Sequence, residues 1–139
     1  MFNVINMKTK FATSWKRSVQ PRKQRKYRHN APLHIKQKFV SAHLSKELRK
    51  KYSKRSINLK KGDNVKVMRG QFRNKQGKVE EVDLKKTLIY ISGIEISKKD
   101  GTKTRRPLHP SNLLITELSI DDKMRNKVLE RKQKNVKAS

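Results

Sequence analysis

Between Met1 and Ser56 the chain carries 17 lysines and arginines against one acidic residue, Glu47. No other feature limits the fold so strongly. A segment of this kind does not collapse by itself, because its cations repel one another and its few apolar side chains do not offset the ordering entropy of the backbone. From Ile57 to Leu118 the balance is 14 basic to 7 acidic residues, and from Ser119 to Ser139 it is 7 to 3, so more than half of the net +27 lies in the first segment. With 32% hydrophobic residues, against about 45–50% in an average globular domain, there is material for one small core. A polyanion would turn the same repulsion into binding energy through counterion release, which makes nucleic acid the leading partner class. The chain has no cysteine, which removes disulfides, thiolate metal sites and cysteine nucleophiles and fits a reducing, cytoplasmic setting. No apolar run approaches the roughly 20 residues of a membrane span, and the opening MFNVIN is too short for a signal peptide.

The charge shifts divide the chain into a basic, partly helical extension (1–56), a middle segment (57–118) and a terminal helix with a basic tail (119–139). In the extension, nine basic residues between Lys8 and Arg28 are interleaved with Phe11, Trp15 and Tyr27. Such rings either stack on unpaired bases or pin the segment to its own globular part. A nuclear-localisation tract or a solubilising tail is the plainer reading of the same charge run. Pro32 suits the first position of a helix that puts Ile35 and Phe39 on one face above Lys36 and Lys38. In LSKELRKKY, Ser45 is a cap, Glu47 stands in the first turn, and Leu44, Leu48 and Tyr52 fall four apart, leaving Lys46, Arg49, Lys50 and Arg55 for a partner. A basic amphipathic helix can also lie on an anionic membrane, but too few apolar residues line this one.

After Ser56 the pattern alternates. About five short strands follow, with Val65, Val67, Val79, Val82, Leu88, Ile89, Ile91, Ile94, Ile96, Leu113 and Ile115 as the expected core. Turn signals separate them at Gly70–Gly77, Asp83–Lys86 and Asp100-Gly101, with Gly93 expected at a bulge. Short sequential strands without helices between them favour a closed antiparallel barrel, mainly β in class. Ser119 to Asp122 has capping-box spacing, and Ile120, Met124 and Val128, four apart, are the expected buried stripe of a last helix whose basic face is Lys123, Lys127, Arg131 and Lys134.

The most specific string is KKGDNVKVMRGQFRNKQGKVEEV, Lys60 to Val82. It reads as a strand, a loop bracketed by glycines that permit positive φ and close backbone approach, and a second strand. The string resembles the KOW motif, with Gly77 at its invariant glycine and Val79 and Val82 as the following apolar pair; Asn74 stands where many members have Gly or Lys. RKQRKYRHNAPLHIKQKF (Arg22 to Phe39), LSKELRKKYSKRSI (Leu44 to Ile57) and PLHPSNLLIT (Pro107 to Thr116) extend the likeness. Over about Lys16 to Arg131 the chain resembles the KOW-containing protein of the large ribosomal subunit, the family numbered twenty-four in bacteria and twenty-six in eukaryotes, in its archaeal and eukaryotic branch. The resemblance implies a small Src-homology-3-like barrel bound to large-subunit ribosomal RNA, a part in early assembly, and a place near the polypeptide tunnel exit beside neighbouring ribosomal proteins and factors that dock there. On the matched positions the residues expected on RNA are Lys16, Arg17, Arg22, Lys23, Arg25, Lys26, Arg28, His29, Asn30 and Lys36 in the extension. Lys46, Arg49, Lys50 and Arg55 join them from the basic helix. Lys66, Arg69, Gly70, Phe72, Arg73, Lys75, Gly77 and Lys78 come from the KOW hairpin, and Arg105 and Arg106 from beyond it.

Catalysis finds no support. His29, His34, His43 and His109 lack metal-ligand spacing, Glu80 and Glu81 are expected on opposite strand faces, and there is no phosphate-binding glycine fingerprint or nucleophile elbow. No enzyme activity, metal, cofactor, membrane or small-molecule substrate is expected. The rival reading is a KOW-type transcription or RNA-processing factor that binds nucleic acid and polymerase, although such proteins carry a further α/β domain of which this sequence has no trace.

Overall fold

The computed structural model describes residues 11–137, with side chains through Arg131. The opening MFNVIN, Lys8 and Lys10 of the basic tract, and the Lys134 side chain lie outside the described residues. After a 3-10 turn at Thr13–Arg17, the chain forms α1 (Pro21–Asn30), α2 (Leu33–Phe39), β1 (Ser41–Leu44), α3 (Lys46–Tyr52), β2 (Ser56–Asn58), β3 (Asn64–Val67), β4 (Gln76–Asp83), β5 (Leu88–Ile91), β6 (Glu95–Ser97), β7 (Lys103–Arg105), a 3-10 turn at Pro110–Asn112, β8 (Leu113–Glu117) and α4 (Lys123–Lys137). The protein is mainly β and barrel-like, as the alternation and the resemblance imply.

Eight strands form among the described residues, against about five expected in the middle segment. Six of them make one sheet in the order β2-β1-β8-β3-β4-β5, and β6 pairs with β7. The sheet is not wholly antiparallel: β1 runs parallel to β8, with His43 opposite Leu114 and Leu44 opposite Ile115. The residues of β1 belong to the basic extension and carry only Ala42 and Leu44 as inward side chains, both buried. Leu44 is thus a strand residue, not the first member of a helical stripe. Ring closure also differs from a continuous ladder. Ile89 and Leu108 exchange both backbone hydrogen bonds at 2.8 Å, after which the chain turns through Pro110–Asn112 into β8. One bridge and a covalent connection close the barrel.

The core contains Val65, Val67, Val79, Ile89, Ile91, Ile94, Leu113 and Ile115 as expected. Val82, Leu88 and Ile96 are only half-buried; Leu88 pairs with Asp83 at the turn end of the β4–β5 hairpin. Val40, Ala42, Leu44, Tyr52, Ile57, Leu59, Phe72 and Leu129 complete the cluster from outside the expected set. Ser45 caps α3 as its sequence suggests, accepting a hydrogen bond from the Leu48 N–H at 3.3 Å. The Asp100-Gly101 turn forms as well. Its Asp100 carboxyl is held below the usual range by the hydroxyl and backbone N–H of Thr102, which donate to it at 2.6 and 2.9 Å. Gly93 lies in the turn between β5 and β6, and the bulge falls instead between Val79 and Glu81.

The terminal helix departs most from expectation. It starts at Lys123, capped by the Asp122 carboxylate, which accepts from the Met124 N–H at 2.8 Å. Ser119 donates instead to Asp121. Among the described side chains of this helix, Arg125 and Leu129 are the buried ones, while Ile120, Met124 and Val128 are 49%, 63% and 39% exposed. Asp63, fully buried before β3, explains the rotation: both of its oxygens receive Arg125 guanidinium hydrogen bonds, at 2.6 and 2.7 Å. A buried carboxylate needs its cation more than a few methyl groups need cover. Arg125→Ala should therefore cost about 3–5 kcal/mol and Met124→Ala less than about 0.5 kcal/mol in urea denaturation. Equal losses would show that α4 is docked on its apolar stripe.

Candidate nucleic-acid interface

The basic side chains lie on the β3–β4 hairpin, on the extension with its short helices, and around β7. The β3–β4 hairpin comes first because its loop, Met68 to Lys75, is held from within. The Val67 N–H donates to the Lys75 carbonyl at 2.9 Å, the Asn74 N–H to the Val67 carbonyl at 2.8 Å, and the Arg73 N–H to the Gly70 carbonyl at 3.0 Å. Met68 N–H ties the loop to the 3-10 turn through the Asn112 carbonyl at 2.8 Å. Gly70 and Asn74 both take positive φ, +91° and +69°; asparagine tolerates this region better than most side-chain-bearing residues. Arg69, Arg73 and Lys75 project from this frame and are exposed. Lys66 is half-buried on the outer face of β3, and Lys78 is exposed on β4.

Phe72 is placed differently from its neighbours. It is 8% exposed and belongs to the core cluster, with the Lys75 ammonium 5.2 Å from its ring centroid. Its contribution is to anchor the loop from beneath. Gly77 also acts otherwise than expected, because its φ is not positive. A Cβ there would lie 2.5 Å from the Ser92 carbonyl oxygen and 2.7 Å from Ile91 Cγ2. The glycine is required by the close approach of β5, not by a left-handed turn.

In the extension, Lys16, Arg17, Arg22, Lys23, Arg25, Lys26, Arg28 and His29 are exposed, and Asn30 is half-buried beside His29. The aromatic residues divide the two roles left open by the sequence. Tyr27 is buried, 4.9 Å from Phe11 and 6.0 Å from Phe39 between ring centroids, so it pins α1. Trp15 is 39% exposed. On α2 and α3, Lys36 is half-buried and Lys46, Arg49, Lys50 and Arg55 are exposed, with the Arg49 Nε–H held by the Leu44 carbonyl at 2.9 Å.

Arg105 is differently engaged from the other cations. The bulge after Val79 leaves Glu80 and Glu81 both exposed, contrary to the expectation of opposite faces, and both approach Arg105, at 3.8 and 3.2 Å. Its guanidinium also lies 5.0 Å from the Tyr90 ring centroid. Arg106 beside it is exposed, with its backbone N–H held by the Ile94 carbonyl at 3.0 Å. Lys61, outside the expected set, lines one cleft with Lys78 and Arg105; its place next to the turn glycine Gly62 was the available signal. Among the described residues no group of acidic and histidine side chains forms a metal site, and no helix is long and apolar enough to cross a membrane.

The profile of a family described as the eukaryotic L26 and archaeal L24 ribosomal proteins matches residues 18–132. The chain is 54% identical over 114 residues to the large ribosomal subunit protein uL24 of Methanothrix thermoacetophila, a match covering 82% of this chain and 98% of that protein. It is 48% identical over 115 residues to the protein of that name from Methanosphaera stadtmanae, with coverage of 83% and 98%. The corresponding protein of Methanocella arvoryzae is 49% identical over 115 residues, with coverage of 83% and 93%.

The two bracketing glycines separate experimentally. At Gly70, where φ is positive and space is open, Asn should be tolerated better than Ala. At Gly77, where a side chain collides, Asn should be no better than Ala, with a loss of about 1–3 kcal/mol. Urea midpoints of the four variants check this, and an Asn advantage at Gly77 would contradict it.

Proposed function

Given that the chain belongs to the family of eukaryotic L26 and archaeal L24 ribosomal proteins, we propose that it is a structural constituent of the large ribosomal subunit, bound to large-subunit ribosomal RNA in the cytoplasmic ribosome. One observation carries the RNA-binding part. Of the cations expected on RNA, Arg105 alone has an acidic partner among the described residues; Lys60 with Asp122 and Arg125 with Asp63 form ion pairs outside that set. Exposed cations without acidic partners on a rigid hairpin and on short helices are suited to positioning phosphates. The role is architectural, not catalytic. The extension lies along RNA through Arg22 to Asn30 and the basic faces of α2 and α3, while the hairpin presents Lys66, Arg69, Arg73, Lys75 and Lys78. Family resemblance further supports an early part in subunit assembly and a position near the tunnel exit, among neighbouring ribosomal proteins and docking factors.

Sedimentation of the native protein through sucrose at moderate and high salt tests this reading. It should travel with free large subunits at both; travel with RNA polymerase would support the transcription-factor alternative. Binding to an isolated RNA should also weaken linearly in log[salt]. Arg73→Gln should reduce that slope by about 0.7–0.9 for one lost phosphate contact, without altering the fold. An unchanged slope would remove Arg73 from the interface.

A further inference from the structure

Trp15 is the one exposed ring among the described phenylalanine, tyrosine and tryptophan residues. It is not needed to dock the extension, because Tyr27, Phe11 and Phe39 already form that cluster. Its backbone is nevertheless held on both sides. The Trp15 N–H donates to the Ala12 carbonyl at 3.2 Å, and its carbonyl accepts from the Ser18 N–H at 3.1 Å. Gln24 of α1 then clamps the turn onto the helix, its Nε2 donating to the carbonyls of Lys16 and Ser18 at 3.1 and 2.7 Å. An exposed indole on an ordered support has already met part of its ordering cost, as a binding surface requires.

The cleft beside it has a volume of about 540 Å³ and is lined by Ser14, Trp15, Ser18, Lys23 and Lys26. That is within the roughly 300–1,000 Å³ of small-ligand sites. Lys23 and Lys26 are three residues apart on α1 and so share a side of the helix, and the Lys26 ammonium lies 6.0 Å from the Trp15 ring centroid. No acidic residue is among those five. A flat apolar ring beside two cations and two hydroxyls suits a ligand that is planar and apolar at one end and anionic at the other.

We infer that this cleft holds an unpaired nucleotide of the RNA, with its base stacked on Trp15 and its flanking phosphates on Lys23 and Lys26. The inference rests on the RNA-binding reading above and adds a stacking subsite to it. The cations by themselves would hold any polyanion. Only the ring distinguishes a base from a phosphate.

Trp15 is the only tryptophan in the chain, so its fluorescence reports on this site directly. The full-length protein is titrated with single-stranded oligoadenylate of about ten nucleotides, and separately with inorganic polyphosphate and polyglutamate of matched charge. Filter binding of labelled oligoadenylate measures total affinity in parallel. Oligoadenylate should bind and quench the indole strongly, while the other two polyanions leave it nearly unchanged. Trp15→Leu should weaken oligoadenylate binding about tenfold, and Trp15→Phe much less. RNA that binds without quenching, or a Leu variant that binds as the parent does, overturns the stacking site and leaves RNA binding intact. Equal quenching by polyphosphate or polyglutamate overturns it by assigning the cleft to phosphate alone or to an acidic protein. Absence of oligoadenylate binding at moderate salt defeats the RNA-binding reading and this subsite with it.

Discussion

The buried pair between Asp63 and Arg125 holds the globular part together. Asp63 accepts not only both guanidinium nitrogens but also the N–H groups of Lys60 and Ser119, at 2.9 and 3.0 Å. Arg125 in turn donates to the carbonyls of Ser119 and Asn58, at 2.9 and 3.1 Å. One carboxylate thereby joins the approach to β3, the end of β8 and the terminal helix. Desolvating two charges is costly, and such a pair adds little over a well-packed apolar one. Its effect is on specificity: α4 has one rotation in which Asp63 is satisfied, and Leu129 is buried in that rotation. The outward face of Ile120, Met124 and Val128 is a consequence of it.

A chain with 38 basic and 11 acidic residues must decide which cations serve the fold and which remain for a polyanion. Here the division is local. Arg125 is consumed in the core, Arg49 is held partly by a backbone carbonyl, and Arg105 is set between two glutamates and Tyr90. These contacts differ in worth, since exposed ion pairs such as that of Arg105 contribute about 0–1 kcal/mol. The hairpin cations and those of α1 have no acidic partner among the described residues, so approach of RNA need break no existing ion pair there. The hairpin loop adds rigidity through its internal hydrogen bonds and the buried Phe72, which lowers the ordering cost of binding.

The aromatic and glycine residues show why residue type alone does not assign a role. Trp15 and Tyr27 stand in the same basic tract, yet one is exposed over a cleft and the other is enclosed by Phe11 and Phe39. Gly70 and Gly77 bracket one loop, yet the first meets a backbone angle and the second a shortage of space under Ser92. For Tyr27 and Gly77 the deciding neighbours are brought by folding, Phe11 and Ser92 standing about 15 positions away in the sequence.

Local rules made part of this protein legible before its fold was known. Alternation located β3, β4, β5 and β8, Ser45 marked the start of α3, Asp100-Gly101 marked the β6–β7 turn, and the charge imbalance indicated a polyanionic partner, because each of these depends on a few consecutive residues or on composition. The β1 strand was not legible, since four residues with two inward side chains carry no periodic signal and their parallel pairing with β8 joins segments about 70 residues apart. The bulge that puts Glu80 and Glu81 together at Arg105, and the buried face of α4, were hidden for the same reason. Helical spacing favoured Met124 over Arg125; a carboxylate 62 positions earlier reversed the choice, because only in three dimensions does the cost of an unpaired buried charge enter.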